Sequence, residues 1–417
     1  MKKKILLCAY ACEPNRGSEP GVGWETSIHL AQENPERDYY VLTRKNNQDI
    51  IENENTPVNL NFLYYDLPSL FLFLKQKGNF VRIYYYIWML GAVIYLWKKR
   101  NEFQIIQHIT FVNDWLPSLF ILLKNRNNFF IWGSIGSHNK IESKFLNSTK
   151  EKLIEKIRIF LQILFRNFDI LFWLCKRKSD VIIGINDEVQ YKLGLGKRAT
   201  EKFRIIPAIA ISKKNLNIVK KKIKTDKFKI ISVGRLMYIK NFQLCIKSFA
   251  NFLNLVPEEE RGNIELIIVG DGEQMQELKH TTKKLGIEKN VFFKGQTPQK
   301  EVMSFFKDSD LFLFPTLESA GFVILEAMSH YLPVIALDYG GPKQLIKENK
   351  ELQLVSIKED LSVIETDLAK KMNFFYKNSE MAKNVGKSNF DTVKQNFTWI
   401  KKTKEILSIY DEIIKRS

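Results

Sequence analysis

The stretch FPTLESAGFVILEAMSHYLPVIALDYGGP (314–342) decides the fold. It reads as the end of an apolar strand, a polar loop, a helix opening around Gly321, and a second strand, PVIAL (333–337). Working outward, the same unit recurs in FKIISVG (228–234), IELIIVG (264–270), NVFFKG (290–295) and DLFLFP (310–315). An earlier series runs through KILLCAY (4–10), DYYVLT (38–43), NFLYY (61–65), QIIQHI (104–109), FFIWG (129–133) and DVIIGI (180–185). Short β-branched runs alternating with amphipathic segments indicate parallel βα units. The two series predict an α/β protein of two Rossmann-like domains, as expected for 417 residues when single cores stop growing near about 250 to 300. The lysine-rich segment 211–229 lacks hydrophobic periodicity and reads as the connection, giving an N-terminal domain over 1–211 and a C-terminal domain over 212–395.

In doubly wound sheets, ligands bind beyond the carboxyl ends of the strands, so the loops there hold the candidate chemistry. Glu318 lies in such a loop, and Glu326 stands eight positions on in the following helix. Singly, the first reads as an ordinary helix cap and the second as a surface residue; together, between two strands, they form a more specific pair. The helix start at Ala320, Gly321 and Phe322 offers backbone N–H groups to an anion. In SVGRLMYIKN (232–241) the strand ends at Gly234, and Arg235 and Lys240 follow. Two basic loop residues are usually solvated, but a planar guanidinium fork and a compact ammonium also suit a diphosphate. The Gly-Asp-Gly turn at 270–272 is a weaker signal, since any tight strand-to-helix turn favours glycine.

The 314–342 segment resembles the E-x7-E region of glycosyltransferase family 4, the large retaining GT-B group. That resemblance implies GT-B architecture, with two Rossmann-like domains facing a central cleft. It places Glu326 on the ribose hydroxyls, Glu318 beside the donor sugar, and Ala320, Gly321 and Phe322 on the diphosphate. Gly234 and Gly270 approach the donor, while Arg235 and Lys240 neutralise the leaving diphosphate. Gly21 and Gly23, in the glycine-rich loop CEPNRGSEPGVGWE (12–25), cover the donor next to the acceptor. A helix is expected after that loop, around Trp24 to Gln32. His108 is the acceptor-side histidine, counted with Glu318, Arg235 and Lys240 as catalytic. Residues 396–417 resemble the terminal helix that crosses back to the N-terminal domain. Ala320, Tyr331 and the loop bearing Ser134, Gly136 and His138 depart from the family's pattern.

Several other chemistries are excluded. GxGxxG and Walker A patterns are absent, so neither NAD nor ATP chemistry is expected and no cofactor is called for. Asp308-Ser309-Asp310 matches the DxD of metal-dependent enzymes, yet it falls where a helix ends and a strand begins, and no metal is expected. The cysteines, Cys8, Cys12, Cys175 and Cys245, form no CxxC, which suits a reducing compartment. The opening MKKKILLCAY has too short an apolar run for a signal peptide and reads as a first strand.

The net charge of +18 lies in the N-terminal half and the segment that follows it: residues 1–211 carry 30 basic and 20 acidic groups and residues 212–230 carry 8 and 1, against 26 and 25 in 231–417. No nucleic-acid-binding pattern accompanies it. The basic groups flank apolar stretches instead, in IYYYIWMLGAVIYLW (83–97) and across 151–178. The first is 15 residues long, short of the roughly 17 to 25 needed to span a bilayer, and is either a core helix or an interfacial one. The expected partners are a UDP- or GDP-linked sugar donor, a glycan or lipid-linked glycan acceptor and an anionic membrane surface. The location is cytoplasmic, peripheral at the inner face. A non-catalytic GT-B-like subunit and a sugar-nucleotide epimerase are the alternatives.

Overall fold

A computed structural model describes residues 3–72, 81–137, 139–196, 201–212, 216 and 227–416. The first sheet is built from β1 (Lys3–Cys8), β2 (Arg37–Arg44), β3 (Leu60–Tyr65), β4 (Ile105–His108), β5 (Phe129–Ile135), β6 (Val181–Gly184) and β7 (Phe203–Ile205). Its order is β3-β2-β1-β4-β5-β6-β7, and every pairing is parallel. The second holds β8 (Phe228–Val233), β9 (Ile264–Val269), β10 (Val291–Gly295), β11 (Leu311–Phe314), β12 (Val334–Leu337) and β13 (Leu354–Val355), ordered β10-β9-β8-β11-β12-β13. Both orders reverse beside the first strand of their half. β6, β11 and β12 are buried at every position, which is why they read as unbroken apolar runs; β4 is equally buried but carries Gln107 and His108.

The chain divides into two compact units, one of Met1–His138, Arg158–Ile209 and Trp399–Ser417, the other of Asn139–Ile157 and Ala210–Thr398. The sequence division at 211 had placed 139–157 in the first domain. Its bonds lie in the second unit, because Gln274 Nε2 donates to Glu151 at 2.9 Å and Lys144 Nζ donates to the Glu359 carbonyl at 2.9 Å. Most of the expected linker 211–229, and His138, lie outside the described residues.

The helix Trp399–Lys415 buries Ile406, Ile409, Tyr410 and Ile413 with Ile5, Leu7 and Trp24 in the first unit's core. Its outer side is pinned by ion pairs of Asp411 with Arg37 and of Glu412 with Arg204. Earlier in the chain, the helix expected from Trp24 begins at Ser18 and runs to Glu33. Pro20 falls in its first turn, where a missing N–H costs nothing. Gly21 and Gly23 are therefore helical and buried, not loop positions. Among the described residues no helix is long and apolar enough to cross a membrane.

Candidate active site

The second unit gathers most of the anticipated residues at the carboxyl ends of β8, β9 and β11. Gly234 N donates to Val269 O at 2.9 Å and Gly270 N donates to Gly295 O at 2.9 Å, so three strand ends are stitched together. Gly270 has φ +135°, and a Cβ there would overlap the Gly234 carbonyl. Glycine is needed for this approach. Gln274 N donates to Leu236 O at 3.1 Å, joining the Gly-Asp-Gly turn to the loop that carries Arg235 and Lys240.

Lys240 ends a short 3-10 turn, Tyr238–Lys240. Its Nζ sits 5.1 Å from the centre of the Phe314 ring and forms an ion pair with the Glu318 carboxylate. Leu317 N donates to Ile239 O at 2.9 Å, so the loops bearing the two charges are also joined through their backbones. Arg235 is exposed and makes no side-chain hydrogen bond or ion pair among the described residues. A partly buried ion pair and an uncommitted guanidinium thus share one loop system.

Gly321 caps the helix Phe322–Ser329 in a left-handed conformation, φ +66°, and no side chain caps its first N–H groups. Those groups retain the capacity to bind an anion. The preceding loop is braced by Gly340 and Gly341: Gly341 N donates to Glu318 O at 3.0 Å, and a Cβ on Gly340 would overlap the same carbonyl. Neither glycine was singled out by sequence reasoning. The paired glycines after a strand were the available signal.

One helical turn on, Glu326 Oε1 accepts from Gln299 Nε2 at 2.7 Å. Burial pushes its carboxyl up to about 7, an effect offset in part by Gln299 and by the charge of Lys240. Gln299 was also missed, because it opens a separate helix, Gln299–Lys307, 27 positions away. Tyr331 takes φ +61° and stacks on Phe390 at 4.1 Å between ring centres. Its ring packing offsets a conformation that usually favours glycine. Asp308 closes the helix Gln299–Lys307, and the Asp310 carboxylate accepts from Lys229 N at 3.0 Å at the start of β11.

Gly21, Gly23 and His108 belong to the first unit. A Cβ on Gly21 would overlap the Arg16 carbonyl, and one on Gly23 the Ala11 carbonyl, so both allow the helix to pack against the loop before it. His108 ends β4, is buried, and shares a 2.8 Å hydrogen bond with the Tyr85 hydroxyl. Burial lowers its pKa to about 3, so the imidazole is neutral at physiological pH. Glu19, on the first helix, accepts from Phe111 N at 2.9 Å and holds the loop after β4.

Two parallel doubly wound sheets are the architecture of the GT-B fold. A structure of Anabaena HepE in complex with UDP-glucose has a TM-score of 0.62 at 17% identity, covering 98% of this chain and 99% of that one. WaaG, a glycosyltransferase involved in lipopolysaccharide biosynthesis, gives 0.63 at 15%, covering 97% and 99%. Residues 213–391 match the family model described as "Glycosyl transferases group 1". The alpha-monoglucosyldiacylglycerol synthase of Streptococcus pneumoniae is 32% identical over 114 residues, 27% of this chain and 24% of that protein. The matches span 29%, 24% and 41% of the first three curated relatives.

Proposed function

We propose that the protein is a retaining hexosyltransferase that moves a sugar from a UDP- or GDP-linked donor to a glycan acceptor, lipid-linked, in bacterial surface polysaccharide synthesis. The observation that carries this reading is the Lys240–Glu318 ion pair beside exposed Arg235 and the uncapped helix start at Gly321. Together these supply two cations and a set of N–H donors where a leaving diphosphate develops charge. Charge stabilisation of this kind needs no divalent ion. Glu326 accepts the ribose hydroxyls, and Glu318 faces the sugar once phosphate oxygens compete for Lys240. Gly21 and Gly23 cover the donor next to the acceptor, and His108, buried, neutral and bonded to Tyr85, is the catalytic histidine of the acceptor side.

No carboxylate need attack the sugar. The leaving phosphate takes the acceptor's proton on the same face, and most of the acceleration comes from proximity and leaving-group stabilisation. Relatives named for UDP-glucose binding, lipopolysaccharide synthesis and a glycolipid product support the donor and acceptor classes. The enzyme works as a cytoplasmic peripheral protein at the inner membrane face. Incubating purified protein with UDP- and GDP-hexoses tests the reading. Release of nucleoside diphosphate supports it. Donor binding without turnover would indicate a non-catalytic subunit, and a rearranged donor formed without acceptor would indicate an epimerase.

A further inference from the structure

The helix Val81–Leu96 buries Tyr84, Tyr85, Trp88, Met89, Ala92 and Leu96, and turns a second apolar stripe outward. Ile83, Leu90 and Ile94 follow spacings of seven and four, which place them on one helical face, and Trp97 opens the 3-10 segment Trp97–Glu102 directly after it. Ile94 is 69% exposed and Trp97 47%. The helix Ile170–Lys178 does the same, with Ile170 78% and Trp173 51% exposed. These two helices are neighbours in the first unit, since both pack against the 3-10 turn Leu119–Leu123. Apolar area of this kind left in water needs an occupant.

Charge identifies the occupant. Each stripe ends in three cations, Lys98, Lys99 and Arg100 after the first helix and Lys176, Arg177 and Lys178 at the end of the second. The two clusters are joined by one turn: Asn128 Nδ2 donates to Arg100 O at 3.2 Å, Asn125 Nδ2 to Asn101 Oδ1 at 2.8 Å, and Lys124 Nζ to Lys178 O at 2.8 Å. The acidic groups nearby are committed elsewhere, Glu102 to Lys4, Asp180 to Lys124, and the Asp169 carboxylate to Phe172 N. Both exposed tryptophans carry an arginine over the ring, Arg100 at 3.9 Å from the Trp97 centre and Arg177 at 5.0 Å from that of Trp173. An indole with a cation at its face has an apolar body and a charged rim, which suits the headgroup level of a bilayer.

We infer that this flank, centred on the Trp97–Arg100 and Trp173–Arg177 pairs, is a docking surface for anionic phospholipid. The inference rests on the membrane-side action proposed above and specifies the surface and lipid chemistry. A second copy of the chain would bring like charges together. The loops 97–104, 124–128 and 176–180 precede β4, β5 and β6, so the cations gather at the amino ends of the strands. The stripe runs up the flank from there toward the carboxyl ends.

The test is vesicle flotation of the full chain, read without donor or acceptor so that it stands apart from any assay of transfer. Vesicles of phosphatidylcholine with phosphatidylglycerol should carry the native protein upward at low salt, and phosphatidylcholine alone should not. Arg100→Gln with Arg177→Gln, and separately Trp97→Ala with Trp173→Ala, should each lower partitioning about tenfold or more. Unfolding temperature and UDP-glucose affinity should stay at native values in the charge variant, which changes only surface groups. No flotation of the native protein, or equal flotation of the charge variant, would overturn the inference. So would a vesicle-free dimer that the tryptophan variant dissolves, because it would assign the flank to a second copy.

Discussion

Lys240 is fixed from two sides, by the Phe314 ring beneath its ammonium and by the Glu318 carboxylate beside it. A charge already oriented costs no reorganisation when the diphosphate departs, and removing one such contact typically lowers turnover by about 10² to 10³. Lys240→Ala and Arg235→Ala should each reduce turnover on that scale with an unchanged unfolding temperature, measured by nucleoside diphosphate release and thermal melting. Glu326 gives a pH prediction. An ordinary glutamate titrates near 4.5 and this one near 7, so between those values the folded chain holds a proton that the unfolded chain releases. Stability from this group is therefore lost as pH rises across that window. In the role proposed for Glu326, donor affinity should move the other way, because an ionised carboxylate accepts hydrogen bonds from ribose hydroxyls better than a protonated one. Calorimetry with UDP-glucose should show binding that strengthens as pH passes about 7, an inflection that Glu326→Gln abolishes.

At the scale of elements, the site depends on loops that touch through their backbones. Gly270→Ala would push a methyl group into the Gly234 carbonyl at φ +135°, costing on the order of 1 to 3 kcal/mol of local strain. Thermal melting should register that loss, and donor affinity should fall with it; a variant with native values for both would contradict the stitched-loop account. These contacts also explain what could be read in advance. The strand ends at Gly234 and Gly270 and the Glu318–Glu326 spacing were legible, because apolar runs mark strands and turn residues mark where they stop. β7 and β13, three and two residues long, carry no pattern to detect. The early helix start at Ser18 was masked by the glycines at 21 and 23, which suggest a loop until their packing against Arg16 and Ala11 is seen. Gln299 and the segment 139–157 were hidden for another reason: their partners are remote in sequence.

Across the whole molecule, the last helix belongs to the first sheet's core. Tyr410 is fully buried, and its hydroxyl bonds to Gln107 next to His108 on β4. Tyr410→Ala should destabilise by about 3 to 5 kcal/mol, as for other large buried rings, measured by denaturant unfolding. Ion requirements are a property of the complete enzyme. With Asp308 at a helix end and the Asp310 carboxylate bonded to Lys229 N, transfer should persist in excess EDTA. Activity lost to the chelator and restored by magnesium or manganese would refute that. The most direct test of the central claim is turnover of a radiolabelled UDP-hexose by purified native protein and by Lys240→Ala, measured side by side. The account predicts UDP release by the native chain and a decrease of about a hundredfold or more in the variant. Equal release from both, or none from the native protein with any UDP- or GDP-hexose, would contradict it.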